Sequence, residues 1–213
     1  MNQRYIQKTN WAWQNALREN AVKKHLMFSF TAFIVSFEVQ FYFLNEFQYR
    51  QGVLLHDQVL NFFTPRDFSL LIFLLVYGAM LTTILIVLQY PKKFVAALYG
   101  YALLTIMRTI SIYFVPLEPP AGMIFLNDPI ARFLMFKEHA VTKDLFFSGH
   151  IASLFFFLFV LENKHHRQIL FVITLLIGVL LIIQRVHYST DIFAAPFFAY
   201  ACYRVAQKLM ERI

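Results

Sequence analysis

Six ionisable residues sit inside, or at the rim of, stretches that are otherwise apolar: Glu38, Arg108, His150, Arg185, His187 and Asp191. Placing such groups in hydrocarbon costs several kcal/mol by order of magnitude, so each is a functional candidate by default. His187 and Asp191 are four positions apart. On a helix they share a face, and the carboxylate can hold one imidazole nitrogen. That fixes the tautomer and makes the other nitrogen a better nucleophile or base. The bland alternative is a satisfied interhelical His/Asp pair. Ser148-Gly149-His150 opens a separate apolar run. A helix start carries unpaired amides and partial positive charge, which suits an anion such as phosphate. Gly149 would let backbone approach a ligand closely, Ser148 adds a hydroxyl, and His150 projects from the first turn. An ordinary helix start capped by Asp144 or Ser148 is the competing reading.

Two histidines, one oriented by a carboxylate and one not, suit phosphoryl displacement. His187 attacks phosphorus to form a phosphohistidine while His150 protonates the departing alcohol and then deprotonates the incoming acceptor. Arg108 and Arg185 are the cations available to neutralise the phosphate oxygens. The scheme requires no metal and no other cofactor. A His2Asp zinc site is an alternative reading of the same three side chains. The single cysteine, Cys202, allows neither an intrachain disulfide nor a cysteine metal cluster.

These residues must be positioned by apolar elements. The 213-residue chain is 59% hydrophobic, 18% aromatic and 15% charged, with a mean hydropathy of +0.56. Soluble domains run at about 45 to 50% apolar and about 25% charged, so soluble, disordered, collagen-like and disulfide-scaffold classes are excluded. Six runs predict membrane-spanning helices: Leu26 to Leu44, Phe68 to Tyr90, Phe94 to Val115, Leu145 to Leu161, Ile169 to Val186 and Tyr188 to Val205. They are continuously apolar and far longer than the roughly ten alternating residues of a barrel strand. The expected fold is an all-α six-transmembrane-helix bundle over residues 26–213. Residues 1–25, with Trp11, Trp13, Lys23 and Lys24, form an interfacial arm rather than a cleavable signal peptide.

Orientation follows from the basic residues. Arg4, Lys8, Arg18, Lys23, Lys24, Lys92, Lys93, Lys164, Arg167, Arg204, Lys208 and Arg212 fall on one side; Arg50, Arg66, Arg132, Lys137, Lys143 and Arg185 fall on the other. Both termini are therefore expected in the cytoplasm, with the basic pI near 9.5 reflecting this bias and not nucleic-acid binding. In this topology His150, His187 and Arg108 reach one stratum near the outer face. Arg108 lies about 21 Å along its helix from Phe94 at 1.5 Å per residue.

Asp144-Leu145-Phe146-Phe147-Ser148-Gly149-His150 followed by His187-Tyr188-Ser189-Thr190-Asp191 resembles the D-x-x-x-S-G-H and H-Y-[ST]-x-D motifs of the sphingomyelin synthase family. That family is a branch of the type 2 phosphatidic acid phosphatase (PAP2) superfamily. Arg108-Thr109-Ile110-Ser111-Ile112-Tyr113 and Pro116-Leu117-Glu118-Pro119-Pro120-Ala121-Gly122-Met123 are similar to the family's Arg-initiated motif ending in V-P-G-M, and Asp57 is a fainter match. The resemblance implies six spans and a triad of His150, His187 and Asp191. It further implies a phosphorylated His187, support from Asp144, and metal-independent catalysis on the outer or lumenal leaflet. Glu118 stands where the family has proline and inherits no role. The phosphatase branch's K-x6-R-P motif is absent, and Leu181 stands where its S-R-x5-H pattern needs arginine, so Arg108 and Arg185 rest on depth alone.

The expected function is thus a membrane lipid phosphatase or head-group phosphotransferase. Its partners would be a phospholipid or lipid-phosphate substrate and, for transfer, ceramide or diacylglycerol as acceptor. Ser148, Gly149, Asp144, Arg108, Arg185 and Tyr188 are the expected substrate contacts, and Tyr113, Tyr188 and Phe125 could form an aromatic cage for a choline head group. The compact chain suggests a bacterial inner-membrane version with a periplasmic site. The alternative is a transporter or channel using intramembrane charges. It predicts polar groups spread through the membrane depth, whereas Glu38 alone lies near mid-span.

Overall fold

A computed structural model describes residues 3–126 and 142–211; Arg132, Lys137 and Arg212 of the charge pattern lie outside these residues. Among the described residues the chain forms seven α-helices: α1 (Gln3–Ala16), α2 (Asn20–Phe47), α3 (Ser69–Val87), α4 (Pro91–Phe114), α5 (Gly149–Val160), α6 (Lys164–Ile183) and α7 (Ser189–Met210). A short 3-10 turn, Val59–Phe62, precedes α3. A lone parallel bridge, Val53 to Leu117, is the β pairing among these residues.

Four helices, α2, α3, α4 and α6, are long and apolar enough to cross a membrane. The expected fourth span corresponds to α5, which has only 12 residues, about 18 Å against a hydrocarbon core of about 30 Å. Its predicted start at Leu145 is not helical. Leu145, Phe147 and Ser148 run into α5 as irregular backbone that is nonetheless buried. Non-helical chain at such depth is tolerated where protein encloses it. The expected sixth span corresponds to α7, which carries Pro196 inside the helix.

Local chemistry sets the helix starts. Asp67 accepts the Ser69 amide and hydroxyl at 2.8 and 2.6 Å and so opens α3. Pro91 occupies the first position of α4, where its missing N–H costs nothing. Asn163 accepts the amides of His165 and His166 at 2.9 and 3.3 Å and opens α6. Arg185, with φ at 57°, turns the chain back between α6 and α7.

The core is centred on α5, whose Ile151, Leu154 and Phe156 are fully enclosed by residues that include Ile177 and Leu181 of α6 and Ala195 and Ala199 of α7. Small residues let these helices approach closely. At Gly100 of α4, an added Cβ would lie 2.5 Å from the Phe156 ring and 3.1 Å from Ala206. The large side chains left on the surface, such as Phe28, Leu74 and Val172, are apolar. The N-terminal arm divides into α1 and the first turns of α2. Trp13 donates its indole N–H to the Leu88 carbonyl at 2.7 Å and meets Phe94 edge-on, which docks α1 on the α3–α4 turn, while Trp11 stays exposed.

Candidate active site

The two sequence motifs meet where α5 and α7 begin. The Ser148 amide, at the N-cap of α5, donates to the carbonyl of Asp191 in the first turn of α7 at 3.2 Å. Two phenylalanines reinforce this clasp, the buried Phe147 stacking on the partly buried Phe198 at 4.2 Å between centroids.

At the start of α7, His187 and Asp191 are both buried, at 2% and 0% exposure. Asp191 Oδ2 lies 3.4 Å from His187 Nδ1, an electrostatic contact longer than a good N–H···O hydrogen bond. The same oxygen accepts the Tyr188 amide at 3.1 Å. Asp191 therefore serves two partners, the helix start and the imidazole, at the N-terminal end of α7. The nitrogen of His187 turned from the carboxylate is Nε2, the one that a nucleophilic role requires. Asp57 completes this helix start by accepting the Ser189 amide at 2.6 Å.

The start of α5 is built differently. Neither Ser148 nor Asp144 caps it. Ser148 Oγ is fully buried and without a hydrogen-bond partner among the described residues. Asp144 instead pairs with Arg108, Oδ1 to Nη2 at 2.7 Å. The guanidinium also donates from Nε to the Phe147 carbonyl at 3.0 Å and from Nη2 to the Asp144 carbonyl at 3.2 Å. Arg108 of α4 thereby grips the segment leading into α5. Gly149 is needed for this grip, because an ideal Cβ there would sit 2.5 Å from Arg108 Cζ and 2.7 Å from Nη1. The expected close approach at Gly149 is thus made by Arg108 itself.

A cavity of about 300 Å³ opens beside this assembly, with Arg108, Asp144, Gly149 and His150 in its wall. His150, in the first turn of α5, is half-buried there. His187 is not part of that wall. No group of three His, Cys, Asp or Glu side chains gathers at metal-binding distance among the described residues.

Two expected substrate contacts are occupied elsewhere. Arg185 donates to the carbonyls of Ala121, Leu60 and Phe63 at 2.7, 3.3 and 3.4 Å, so its guanidinium ties these loops together. Tyr188 is 1% exposed, its hydroxyl donating to the Glu118 carbonyl at 2.9 Å and accepting from the Leu55 amide at 3.2 Å. A choline cage from Tyr113, Tyr188 and Phe125 is not assembled. The Tyr113 ring already carries Arg50 at 5.0 Å, and no ring contact joins the three among the described residues.

Sequence reasoning passed over the polar brace beside the site. Glu118 Oε1 accepts the Gly52 amide and the Lys143 ammonium, both at 2.8 Å. These contacts hold the Glu118 carboxyl below its usual range. Gln184, fully buried, accepts the Phe68 amide at 2.9 Å and donates to Ser69 Oγ at 2.9 Å. A loop acid two residues after Pro116 was the one available signal, and its lysine partner lies 25 positions away.

Among the described residues the protein is all-helical apart from a lone β-bridge, with four helices of membrane-spanning length, and its two motifs meet at the starts of α5 and α7. Residues 143–208 match the family model described as PAP2 superfamily C-terminal. The matched segment holds Asp144, the Ser148-Gly149-His150 start, Arg185 and the His187 to Asp191 motif, and it supports a PAP2 affiliation without distinguishing a branch. No curated protein and no solved structure matches the chain.

Proposed function

We propose that this protein is an integral membrane lipid phosphatase or phosphotransferase working through a phosphohistidine. The observation that carries the reading is the clasp of the two helix starts, Ser148 amide to Asp191 carbonyl, with His187 Nδ1 against the buried Asp191 carboxylate. In the first half-reaction His187 Nε2 bonds to phosphorus and the ester P–O bond breaks; His150 gives its proton to the leaving oxygen. In the second half-reaction water or a lipid alcohol such as ceramide or diacylglycerol gives its proton to His150 and attacks phosphorus, freeing His187. Arg108 and the α5 amides offset the charge on the phosphoryl oxygens. The proposal includes six spans in a bacterial inner membrane; the distribution of Lys and Arg supports both termini in the cytoplasm and a site on the outer face.

The test is purified protein assayed against short-chain phosphatidate, phosphatidylcholine and phosphatidylethanolamine, with and without ceramide or diacylglycerol. Release of phosphate or exchange of head groups is expected, resistant to EDTA and blocked by vanadate. His187→Ala should abolish turnover and leave no acid-labile phosphate on the chain. Silence across the lipid panel, or near-normal turnover by His187→Ala, overturns the reading.

A further inference from the structure

The cavity beside His150 does not end in the polar zone. A second cavity of about 300 Å³, lined almost wholly by apolar surface, adjoins it along α4 toward the other end of the helix. Its walls include Phe33 of α2, Ile84 and Val87 of α3, and Phe94, Ala97 and Leu98 of α4. Phe37, Met80 and Tyr101 line both cavities and form the neck between them. The neck is held in place, since Tyr101 shares a 2.8 Å hydrogen bond with Ser153 Oγ and its ring stacks parallel to Phe37. The cleft arises from the helix arrangement: α2 packs on α4, α3 packs mainly on α5 and α6, and α2 and α3 barely meet.

Polarity is therefore graded across two adjoining cavities. Arg108, Asp144 and His150 stand at one end and hydrocarbon alone at the other. From Arg108 to Phe94 the helix rises about 21 Å, somewhat more than the roughly 15 Å of one bilayer leaflet. An occupant with a polar head and one long apolar tail matches this gradient, and water is a poor tenant of the lower half because no polar partners await it there.

Resting on the function proposed above, we infer that the cleft between α2 and α3 receives one acyl or alkyl tail of the lipid whose phosphate is attacked. The neck of Phe37, Met80 and Tyr101, with the far wall at Phe94, sets the tail length the enzyme accepts. A tail that ends above the neck needs only the upper cavity. A longer tail must thread the neck, so bulk placed below it blocks long tails selectively.

The experiment compares single-tailed lipid phosphates of about eight and about sixteen carbons. In Ile84→Trp and, separately, Ala97→Phe, the ratio of long-chain to short-chain kcat/KM should fall about ten-fold or more, as expected for forcing extra volume into a packed space. Phe94→Ala, which deepens the far end, should shift the preferred tail toward greater length. A second readout needs no turnover: native mass spectrometry of protein incubated with the long-chain phosphate should show one retained lipid in the wild type and none in Ile84→Trp. A ratio within about two-fold of wild type in both filled variants, or equal lipid retention, overturns the tail cleft. Wild-type protein that retains the lipid but never cleaves it sinks the catalytic reading and leaves the cleft standing.

Discussion

At the scale of single residues, the two aspartates at the start of α7 are chemically alike and differ in what they serve. Asp57 accepts helix and loop amides from Ser189 and Val59 among the described residues, so Asp57→Ala should cost about 1 kcal/mol of stability, typical of a lost cap. Thermal unfolding in detergent would register that loss. Asp191 also faces the imidazole. Asp191→Asn keeps an oxygen for the Tyr188 amide but withdraws the charge that supports His187, so kcat should fall by about two to four orders of magnitude with little change in melting temperature. Parallel losses of stability and rate in Asp191→Asn would reduce it to a cap. Arg108 and Gly149 form a second pair. Gly149→Ala must push the guanidinium off Phe147 and Asp144, and Arg108→Lys cannot reproduce the forked contact. Both variants should lower kcat/KM by roughly ten-fold or more, with each measured on the short-chain phosphatidate.

At the scale of elements, the loops on the site side are held by a network and not by secondary structure. The Val53–Leu117 bridge is closed by the Gly52 amide on Glu118 and by Lys143 on Glu118, and Gly52 has no room for a side chain, since a Cβ would lie 2.6 Å from the Leu117 carbonyl carbon. The Glu118 carboxyl is held low by its hydrogen bond from Lys143 and then by the Gly52 amide. A carboxyl with a depressed folded pKa contributes stability that is present above its unfolded value, about 4.3, and is lost as pH falls through the folded value. Wild type should therefore outlast Glu118→Gln in thermal unfolding at pH 7, and the gap should close below about pH 4. The contribution is modest because both partners are partly exposed. This network also marks the limit of what the sequence discloses. The apolar runs announced α2, α3, α4 and α6 because hydrophobic length is a local property, and the clasped motifs were legible because Ser148-Gly149-His150 and His187 to Asp191 are each compact. The protein partners of Arg185 and Tyr188 were not legible, because the carbonyls they meet lie 64 to 125 residues away in the chain. The late start of α5 was hidden for a similar reason, as Leu145 to Phe147 are apolar enough to continue a helix, whereas the Arg108 side chain takes the carbonyls of Asp144 and Phe147.

At the scale of the whole molecule, the proposed chemistry depends on which side of the membrane the two helix starts face. The fold puts Arg108, the start of α5 and the start of α7 at one end, linked through the Phe147 and Asp191 carbonyls. The opposite end carries Lys92, Lys93 and Lys164 beside the α3–α4 and α5–α6 turns, with Lys92 and Lys93 paired to Glu19 and Glu162. If the basic end is cytoplasmic, the site opens outward and takes its lipid from the outer leaflet. The lone cysteine makes this measurable, because Cys202→Ser removes the one background thiol and that thiol is buried. In that background Tyr49→Cys, at an exposed position near the site end, should react with a membrane-impermeant maleimide in intact cells. Glu162→Cys, exposed at the basic end, should react only after the membrane is opened. The reverse pattern would turn the bundle over, place the phosphate site in the cytoplasm, and require its acceptor to come from the inner leaflet instead.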